Sequence, residues 1–303
     1  MTSISVCVVL TSQQQARLSE GAGDWDVRFQ APSDPCDCSV VFGNPEPNVM
    51  AANRALGWLQ LESVGFGEYT ALDWARPGGA VQVTNLAGFF ADPVAETALA
   101  GLLALGRGID RLAILKQQAE WVGDPLREDL RLLKGAHVLL FGYGAINGRL
   151  AELLSPFGCN ITRFTSDWTV DALDAALAKA DIIVASVPDM PVTRGLFDHA
   201  RVAGMKPGAV FCNFGRGSLV DEGALAEALQ SGHLGGAVID VTEDEPLPSP
   251  HPFWQCPNTL VTQHSGGGTA DELDRKIDVF LANLTRYRAG EPLVGLVDFA
   301  KGY

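Results

Sequence analysis

Short apolar runs alternate with polar, helix-like stretches along the chain, and a first series of them fills the N-terminal third. Five runs there have the alternation or continuity typical of β-strands: SVCVVL (5–10), WDVRF (25–29), SVVFG (39–43), GWLQLESV (57–64) and AVQVTN (80–85). A segment rich in Ala and Leu, from about Pro93 to Gln118, predicts a long helix. Asp92 followed by Pro93 predicts its start, with Asp92 as the N-cap.

A second and more regular series follows. Six apolar runs predict strands: HVLLF (137–141), NITRF (160–164), IIVASV (182–187), AVFCNF (209–214), AVIDV (237–241) and TLVTQ (259–263). Helical stretches such as GRLAELLSPF and DEGALAEALQSG lie between most of them, and a last amphipathic helix is predicted from about Asp271 to Arg288. Apolar strands that alternate with helices favour an α/β fold whose parallel sheet is covered on both faces.

The chain has 303 residues, enough for two domains of about 150 residues each. The natural boundaries flank the second series. We therefore predict a discontinuous first domain, residues 1–92 plus 266–303, and a continuous second domain, residues 93–265. Two chain crossings between domains are typical of a hinge that closes over a ligand.

Charge and cysteine usage narrow the classes of partner. The 36 acidic residues outnumber the 22 basic ones, and the net charge of −14 argues against nucleic acid or an anionic membrane as partner. The first residues lack the positive start and cleavage site of a signal peptide, and their apolar stretch is too short to span a membrane, so a cytoplasmic location is expected. The six cysteines follow neither zinc nor disulfide spacing, which predicts buried free thiols and no metal.

A glycine turn opens the second series. Gly142 and Gly144 lie between a predicted strand and a predicted helix, the arrangement of a dinucleotide-binding turn. Gly142 permits the tight turn, Gly144 lets the backbone approach a pyrophosphate, and the helix start at Ala145 and Ile146 offers free N–H groups. The third glycine of the motif is replaced by Asn147. We expect this replacement to strain the helix against the strand, with Gly148 giving partial relief.

The end of the next predicted strand bears on the choice of nucleotide. A carboxylate about 20 residues beyond the glycines binds the ribose 2′-hydroxyl of NAD. This chain has Phe164, Thr165 and Ser166 there, and Asp167 comes slightly late. With Arg163 nearby, the two hydroxyl groups favour NADP(H), although NAD(H) stays possible if Arg163 only lies on an exposed strand face.

Three downstream stretches carry a resemblance to a known family: MKPGAVFCNFGRGSLVDEGALAEAL, AVIDVTEDEPLP and HPFWQCPNTLVTQHSGG. In this order they resemble the D-isomer-specific 2-hydroxyacid dehydrogenases, which include glyoxylate/hydroxypyruvate reductases. The resemblance continues upstream through SVPDMPVTRGLFD, the glycine turn, DPVAETALAGLLAL and ESVGFG, and covers nearly the whole chain. It implies two Rossmann-like domains with doubly wound parallel sheets and a cleft between them: a substrate domain, residues 1–92 plus 266–303, and a dinucleotide-binding domain, residues 93–265. It also implies a homodimer formed through the helix after Asp92.

The resemblance also implies catalytic roles. Arg216 would bind the substrate carboxylate and polarise the keto oxygen, His264 would supply the proton, and Glu245 would orient and charge the imidazole. Histidine suits this task because it ordinarily titrates near neutral pH. Each residue also has an alternative interpretation: Arg216 as a turn residue, Glu245 as a solvated charge and His264 as a structural histidine. The other four histidines, His137, His199, His233 and His251, lack a motif setting and are interpreted as structural or surface residues.

Further positions follow from the same resemblance. Those expected to contact the nucleotide beyond the glycine turn are Val187, Pro188, Thr193, Phe214, Asp240 and Gly266. The backbone of Gly65, Phe66 and Gly67 resembles a loop that receives the substrate carboxylate. Besides Asn147, two residues depart from the family pattern: Thr97 stands where His is frequent, and Gln263 stands where Pro is common.

The predicted function is NAD(P)H-dependent reduction of a small 2-keto acid, such as glyoxylate or hydroxypyruvate, to the D-2-hydroxy acid. Four aromatic residues were candidates to line a pocket for a bulkier acid: Phe66, Phe89, Phe90 and Trp121. One alternative is a dehydrogenase of another small anion, such as formate or phosphite. Another is a dinucleotide-sensing, corepressor-like protein without enzymatic activity.

Overall fold

The computed structural model describes residues 2–76 and 79–299. Its strands are β1 (Ser3–Val6), β2 (Asp26–Phe29), β3 (Val40–Phe42), β4 (Trp58–Gln60), β5 (Gln82–Thr84), β6 (His137–Phe141), β7 (Asn160–Phe164), β8 (Ile182–Ala185), β9 (Val210–Asn213), β10 (Gly236–Ile239) and β11 (Thr259–Val261). Its α-helices are α1 (Ser12–Ala22), α2 (Pro47–Ala52), α3 (Ala91–Arg107), α4 (Ile109–Gln118), α5 (Ala145–Leu154), α6 (Val170–Leu177), α7 (His199–Gly204), α8 (Glu222–Gln230) and α9 (Glu272–Ala289). A strand thus forms within or overlapping each apolar run singled out in the sequence.

The chain divides into two compact units. Unit 1 consists of residues 1–89 and 269–303, and unit 2 of residues 90–268. Both changeovers lie three residues from the positions expected at 92 and 265. The substrate and nucleotide roles of the two units stay proposals.

Unit 1 is built on a parallel sheet in the order β2-β1-β3-β4-β5. A capping box starts α1, since the Thr11 hydroxyl accepts from the Gln14 N–H and the Gln14 side chain accepts from the Thr11 N–H. The C-terminal α9 completes this unit because Phe280 stacks on Phe42 at 4.6 Å and on Trp58 at 5.3 Å between ring centroids. These aromatic contacts account for the discontinuity of the unit in sequence.

Unit 2 is built on a parallel sheet in the order β11-β10-β9-β8-β6-β7. Helices α3 and α5 cover one face, and α6, α7 and α8 cover the other. The strands β6, β8, β9 and β10 are therefore nearly continuous in apolar residues, as the sequence pattern indicated. The order reverses beside β6, so the loops after β6 and β8 form the switch point at which such sheets bind ligands.

Two helix predictions need correction. The long helix expected over 93–118 is two helices, because Gly108 takes a left-handed conformation with φ of 64° between α3 and α4. Asp92 is not the N-cap, since α3 starts at Ala91, two residues earlier than expected, with Phe90 as the N-cap. The Asp92 carboxylate instead pairs with Arg149 Nε at 2.7 Å, where it also complements the positive start of the helix.

The six cysteines are free thiols, and Cys7, Cys38, Cys212 and Cys256 are buried. Burial raises the pKa of Cys7 to about 11 and that of Cys212 to about 12, which keeps both thiols protonated and unreactive at neutral pH. The prediction of buried thiols is confirmed for these four. Over the described residues, no helix is both long and apolar enough to cross a bilayer.

Candidate active site

The glycine turn after β6 has the geometry that a diphosphate requires. Gly142 has a φ of 84°, and a Cβ there would lie 2.8 Å from the Ser186 carbonyl oxygen, so only glycine is accommodated. Gly144, by contrast, faces open space. Among the described residues nothing accepts from the amides of Ala145 and Ile146, which open α5. These uncapped donors at a helix N-terminus fit the pyrophosphate of a dinucleotide.

Asn147 supports this turn rather than straining it. Its side chain is fully buried, and Nδ2 donates to the carbonyl oxygens of Phe141 at 3.2 Å, Gly142 at 3.1 Å and Val184 at 3.2 Å. The amide thus ties α5 to the carboxyl ends of two adjacent strands. Gly148 faces open space and relieves nothing, so the expected compensation between Asn147 and Gly148 was wrong.

The end of β7 presents both signs of charge. The guanidinium of Arg163 lies 4.8 Å from the ring centroid of Tyr143, the residue between the two glycines. The Thr165 hydroxyl donates to the Asp167 carboxylate, and this bond lowers the pKa of Asp167. A carboxylate therefore does reach this edge, which corrects the expectation that Asp167 came too late. Ser166 is exposed beside it.

Arg216 projects from a turn fixed by its neighbours. The Asn213 side chain accepts from Gly215 N at 3.0 Å and donates to Arg216 O at 2.9 Å. A Cβ on Gly217 would lie about 2 Å from the backbone of Thr242. The loop 242–245 therefore rests directly on the Arg216 turn. Within the described chain no carboxylate pairs with the exposed Arg216 guanidinium, which leaves it for an anionic ligand.

Glu245 and His264 form a hydrogen-bonded pair. His264 Nδ1 lies 2.7 Å from Glu245 Oε2, and Glu245 Oε1 accepts from Thr242 N at 3.1 Å. Partial burial by itself would raise the pKa of Glu245, but the bonds from His264 and Thr242 and the charge of Arg216 outweigh it. The net pKa lies below its usual range, so Glu245 is a carboxylate at neutral pH. The structure thus brings the three predicted catalytic residues into one cluster.

An unusual turn presents His264. Gln263 and His264 both take left-handed conformations, with φ of 56° and 54°. Proline is held near −65° and cannot adopt this conformation, so a turn of this kind excludes the proline that is common at 263. Asp240 braces the turn: its backbone oxygen accepts from His264 N at 2.6 Å, and its carboxylate accepts from Gly266 N at 3.0 Å.

Two further side chains complete that brace, and no sequence pattern indicates their contacts. The Thr262 hydroxyl donates to the Asp240 carboxylate at 2.5 Å. Thr97, where His is frequent in the family, donates from α3 to the Gly266 carbonyl oxygen at 3.0 Å. Asp240 was expected only as a nucleotide contact, but the structure also uses it to hold the turn that presents His264.

The other residues predicted to contact the nucleotide differ in exposure and in their hydrogen bonds. Val187 and Phe214 are buried, and Val187 packs against Gly142. The Thr193 hydroxyl is engaged within its own loop, donating to Pro188 O at 2.9 Å. Thr193 therefore shapes the loop after β8, while Pro188 is exposed on it.

The residues expected to receive the substrate carboxylate belong to unit 1. Gly65 and Gly67 face open space, and the Ser63 hydroxyl donates to Gly65 O at 2.8 Å. The Phe66 side chain is buried, 5.6 Å from the Phe299 ring centroid, so it belongs to the core and does not line a pocket. The Trp121 side chain is 94% exposed, so it does not line a pocket in the described part of the chain.

A parallel α/β sheet with an uncapped helix start behind a glycine turn and a His–Glu pair beside an exposed arginine define a nucleotide-dependent dehydrogenase. The family model described as "D-isomer specific 2-hydroxyacid dehydrogenase, NAD binding domain" matches residues 99–266. The chain belongs to this family of NAD(P)-dependent oxidoreductases, as its motifs indicated.

Relatives agree with this assignment over most of the chain. Glyoxylate/hydroxypyruvate reductase A of Serratia proteamaculans is 30% identical over 95% of both chains. The chloroplastic/mitochondrial formate dehydrogenase of Arabidopsis thaliana is 30% identical over 84% of this chain and 71% of its own. A D-isomer specific 2-hydroxyacid dehydrogenase of Xanthobacter autotrophicus, solved with NADPH and MES, is 26% identical with a TM-score of 0.79, covering 100% of this chain and 99% of its own.

Proposed function

We propose that this enzyme reduces a small 2-keto acid of the glyoxylate or hydroxypyruvate type to the D-2-hydroxy acid, using NAD(P)H. The observation that carries the proposal is the 2.7 Å contact of His264 with Glu245 beside the unpaired Arg216. Such a cluster binds an anion and moves a proton, which are the two tasks of keto acid reduction. The Serratia reductase, similar over almost its whole length, supports the same substrate class.

Each residue has one task in this mechanism. When bound, the reduced nucleotide supplies a hydride to the carbonyl carbon. The Arg216 guanidinium binds the substrate carboxylate and draws electron density toward the keto oxygen. His264 donates a proton to that oxygen from Nε2, since its Nδ1 is engaged with Glu245. The Glu245 carboxylate stabilises the imidazolium that donates and fixes the plane of its ring.

We further propose that NADP(H) is the preferred nucleotide. Arg163, stacked on Tyr143 of the glycine turn, offers a cation that would attract a 2′-phosphate. The NADPH-bound Xanthobacter relative supports this choice. Asp167 opposes it, because its carboxylate at the end of β7 repels a phosphate. Asp167→Asn should therefore raise kcat/KM for NADPH relative to NADH, whereas Arg163→Ala should lower it.

The activity is tested by NADPH and NADH absorbance with a panel of 2-keto acids. His264→Ala should abolish reduction while dinucleotide affinity stays within threefold. His199→Ala is the matched control, because His199 is an exposed histidine of unit 2 that pairs with another glutamate, Glu227, at 3.7 Å. Absence of turnover with every 2-keto acid would refute the proposal, and so would a His264→Ala enzyme that kept most of its rate.

The formate dehydrogenase relative makes oxidation of a small anion the second candidate. The His264–Glu245 pair favours keto acid reduction, because formate oxidation requires no proton transfer to the substrate. Adding formate and phosphite with NAD or NADP to the same assay separates the two activities. Nucleotide binding without any turnover would instead favour the corepressor-like alternative.

We also propose a homodimer. No residue of α4 is buried, and its Ile109, Leu112 and Ile114 side chains are 42–55% exposed. Trp121 and Leu132, further along the same segment, are 94% and 69% exposed. Large apolar side chains clustered in this way mark a surface that associates with another protein. A second copy of the chain is the partner that the family resemblance implies.

A further inference from the structure

A mostly buried histidine–glutamate pair lies next to the loop that carries Glu245. His251 Nε2 lies 3.2 Å from Glu222 Oε2, and the two side chains are only 19% and 12% exposed. Glu222 is the first residue of α8, and His251 caps the short 3₁₀ helix Pro252–Trp254. The sequence suggested no task for His251 beyond a structural or surface one, and it left Glu222 unremarked.

The hydrogen bonds around His251 determine where its proton lies. Phe253 N donates to His251 Nδ1 at 3.3 Å, so Nδ1 carries the lone pair. The proton of the neutral ring is then on Nε2, which donates to Glu222. The other carboxylate oxygen, Glu222 Oε1, accepts from Glu243 N at 2.9 Å. Glu222 thereby joins His251 to the backbone of the loop 242–245.

The other described contacts of that loop are local. Its inner side rests on Gly217, next to Arg216, and the Thr242 hydroxyl donates to Asp244 O within the loop. Thr242 N binds Glu245 directly at 3.1 Å. A shift of the Thr242–Glu243 backbone would therefore move the carboxylate that holds His264. Misplacement of a catalytic group by about 1 Å costs on the order of 100-fold in rate.

We propose that Glu222 and His251 are positioning residues for the reaction, and that they act by holding the Glu243 backbone so that Glu245 meets His264. Neither side chain contacts His264 or Arg216. Their kinetic effect rests on the proposed reductase function, whereas their effect on the loop does not.

The test combines kinetics with hydrogen–deuterium exchange of the nucleotide-free protein. Glu222→Ala should lower kcat for the 2-keto acid about 10- to 100-fold while KM for the nucleotide stays within twofold. Exchange in the segment 242–245 should rise at least tenfold. Glu227→Ala is the matched control: it removes a glutamate of the same helix that pairs with a histidine at 3.7 Å, but on the surface. It should change neither quantity.

Two variants of His251 separate positioning from capping and remain informative if Glu222→Ala fails to fold. His251→Gln keeps a donor toward Glu222 and loses the cap of Phe253, so its kcat should stay within threefold of the wild type. His251→Asn keeps the cap and loses the contact with Glu222, so its kcat should fall at least tenfold.

Three results would overturn the inference. They are a Glu222→Ala enzyme equal to Glu227→Ala, an unchanged exchange rate in 242–245, and a loss of protection spread evenly over unit 2. If the wild type reduces no 2-keto acid, the proposed function fails by itself. The exchange comparison then still decides whether Glu222 holds the loop.

Discussion

Asn147 shows how one side chain can replace a glycine without disturbing the turn it belongs to. Its side-chain amide occupies space that the motif leaves for close packing. The Nδ2 group donates to three carbonyl oxygens at 3.1–3.2 Å. A residue that the motif treats as a defect is thus a link between α5, β6 and β8. The motif states which residues usually fit the turn. The hydrogen bonds of Asn147 depend on carbonyl oxygens from other parts of the chain, which the motif does not include.

Restoring the glycine should therefore destabilise the protein. Asn147→Gly removes buried hydrogen bonds and adds backbone freedom, so the free energy of unfolding should fall by about 1–3 kcal/mol. Nucleotide KM should stay within threefold, because the variant restores the glycine of the motif and keeps Gly142 and the amides of Ala145 and Ile146. Gly148→Ala is the control, since a methyl group there meets nothing and favours the helix. Urea unfolding measures both, and a stabilised Asn147→Gly would contradict this account.

The conformation of Gln263 leads to a second prediction at the residue scale, and this prediction is opposite to what the family pattern suggests. Gln263→Pro cannot keep a φ of 56°, so the turn must move and His264 N must leave Asp240. We expect kcat to fall at least tenfold, although proline is common at this position in relatives. Gln263→Gly accepts the same φ and should keep kcat within twofold. Equal rates for the proline variant and the wild type would show that the turn adapts.

At the scale of elements, Asp181 joins three segments of unit 2 at the amino edge of its sheet. It precedes β8, and its carboxylate accepts from His137 N at 2.9 Å and from Lys206 Nζ at 2.5 Å. Partial burial alone would raise the pKa of Asp181, but Lys206 and the His137 amide outweigh it and the net pKa is lowered. The carboxylate thus holds β6, β8 and the end of α7 in register.

A lowered pKa has a definite consequence for stability. Because the folded pKa lies below the unfolded value of about 3.9, the contribution is present above that pH and is lost as the pH falls through the folded pKa. Asp181→Asn should therefore reduce the free energy of unfolding by about 1 kcal/mol at pH 7, allowing for its partial exposure. The difference from the wild type should shrink toward zero below about pH 3.

Thermal unfolding across pH 2–7 measures this effect. Asp24→Asn is the control, because Asp24 is an exposed aspartate of unit 1 with no hydrogen bond or ion pair among the described contacts. A penalty for Asp181→Asn that stayed constant with pH would show that packing, and not charge, is responsible.

The break at Gly108 also belongs to the element scale. Apolar periodicity continues through it, so the sequence predicted one helix where the structure has two. A left-handed glycine ends α3, and α4 leaves its apolar residues outside the core. Periodicity reports that a helix has an apolar face but cannot tell whether that face meets its own core or another chain.

At the scale of the whole molecule, the exposed apolar segment 109–132 predicts a dimer at micromolar concentration. Replacing Trp121 by Ser together with Leu132 by Glu should weaken the dimer at least tenfold, because it removes apolar area and adds charge. Sedimentation velocity measures the outcome. Val294→Glu, at an exposed apolar residue of unit 1, should leave the assembly unchanged. A wild-type chain that sediments only as a monomer would refute the proposal.

The sequence by itself determined the alternation of strands and helices, the two-part organisation, the glycine turn and the Arg, Glu and His of the candidate site. The first three depend on residues adjacent in the chain or on motif spacing, which a sequence records directly, and the Arg, Glu and His follow from the resemblance of their motifs to the family. Tertiary structure alone decided how those residues are held. Asn147 binds Val184, 37 residues away, and Glu222 binds Glu243, 21 residues away. Such bonds form only after parallel strands have brought their carboxyl ends together, so no local sequence pattern predicts them.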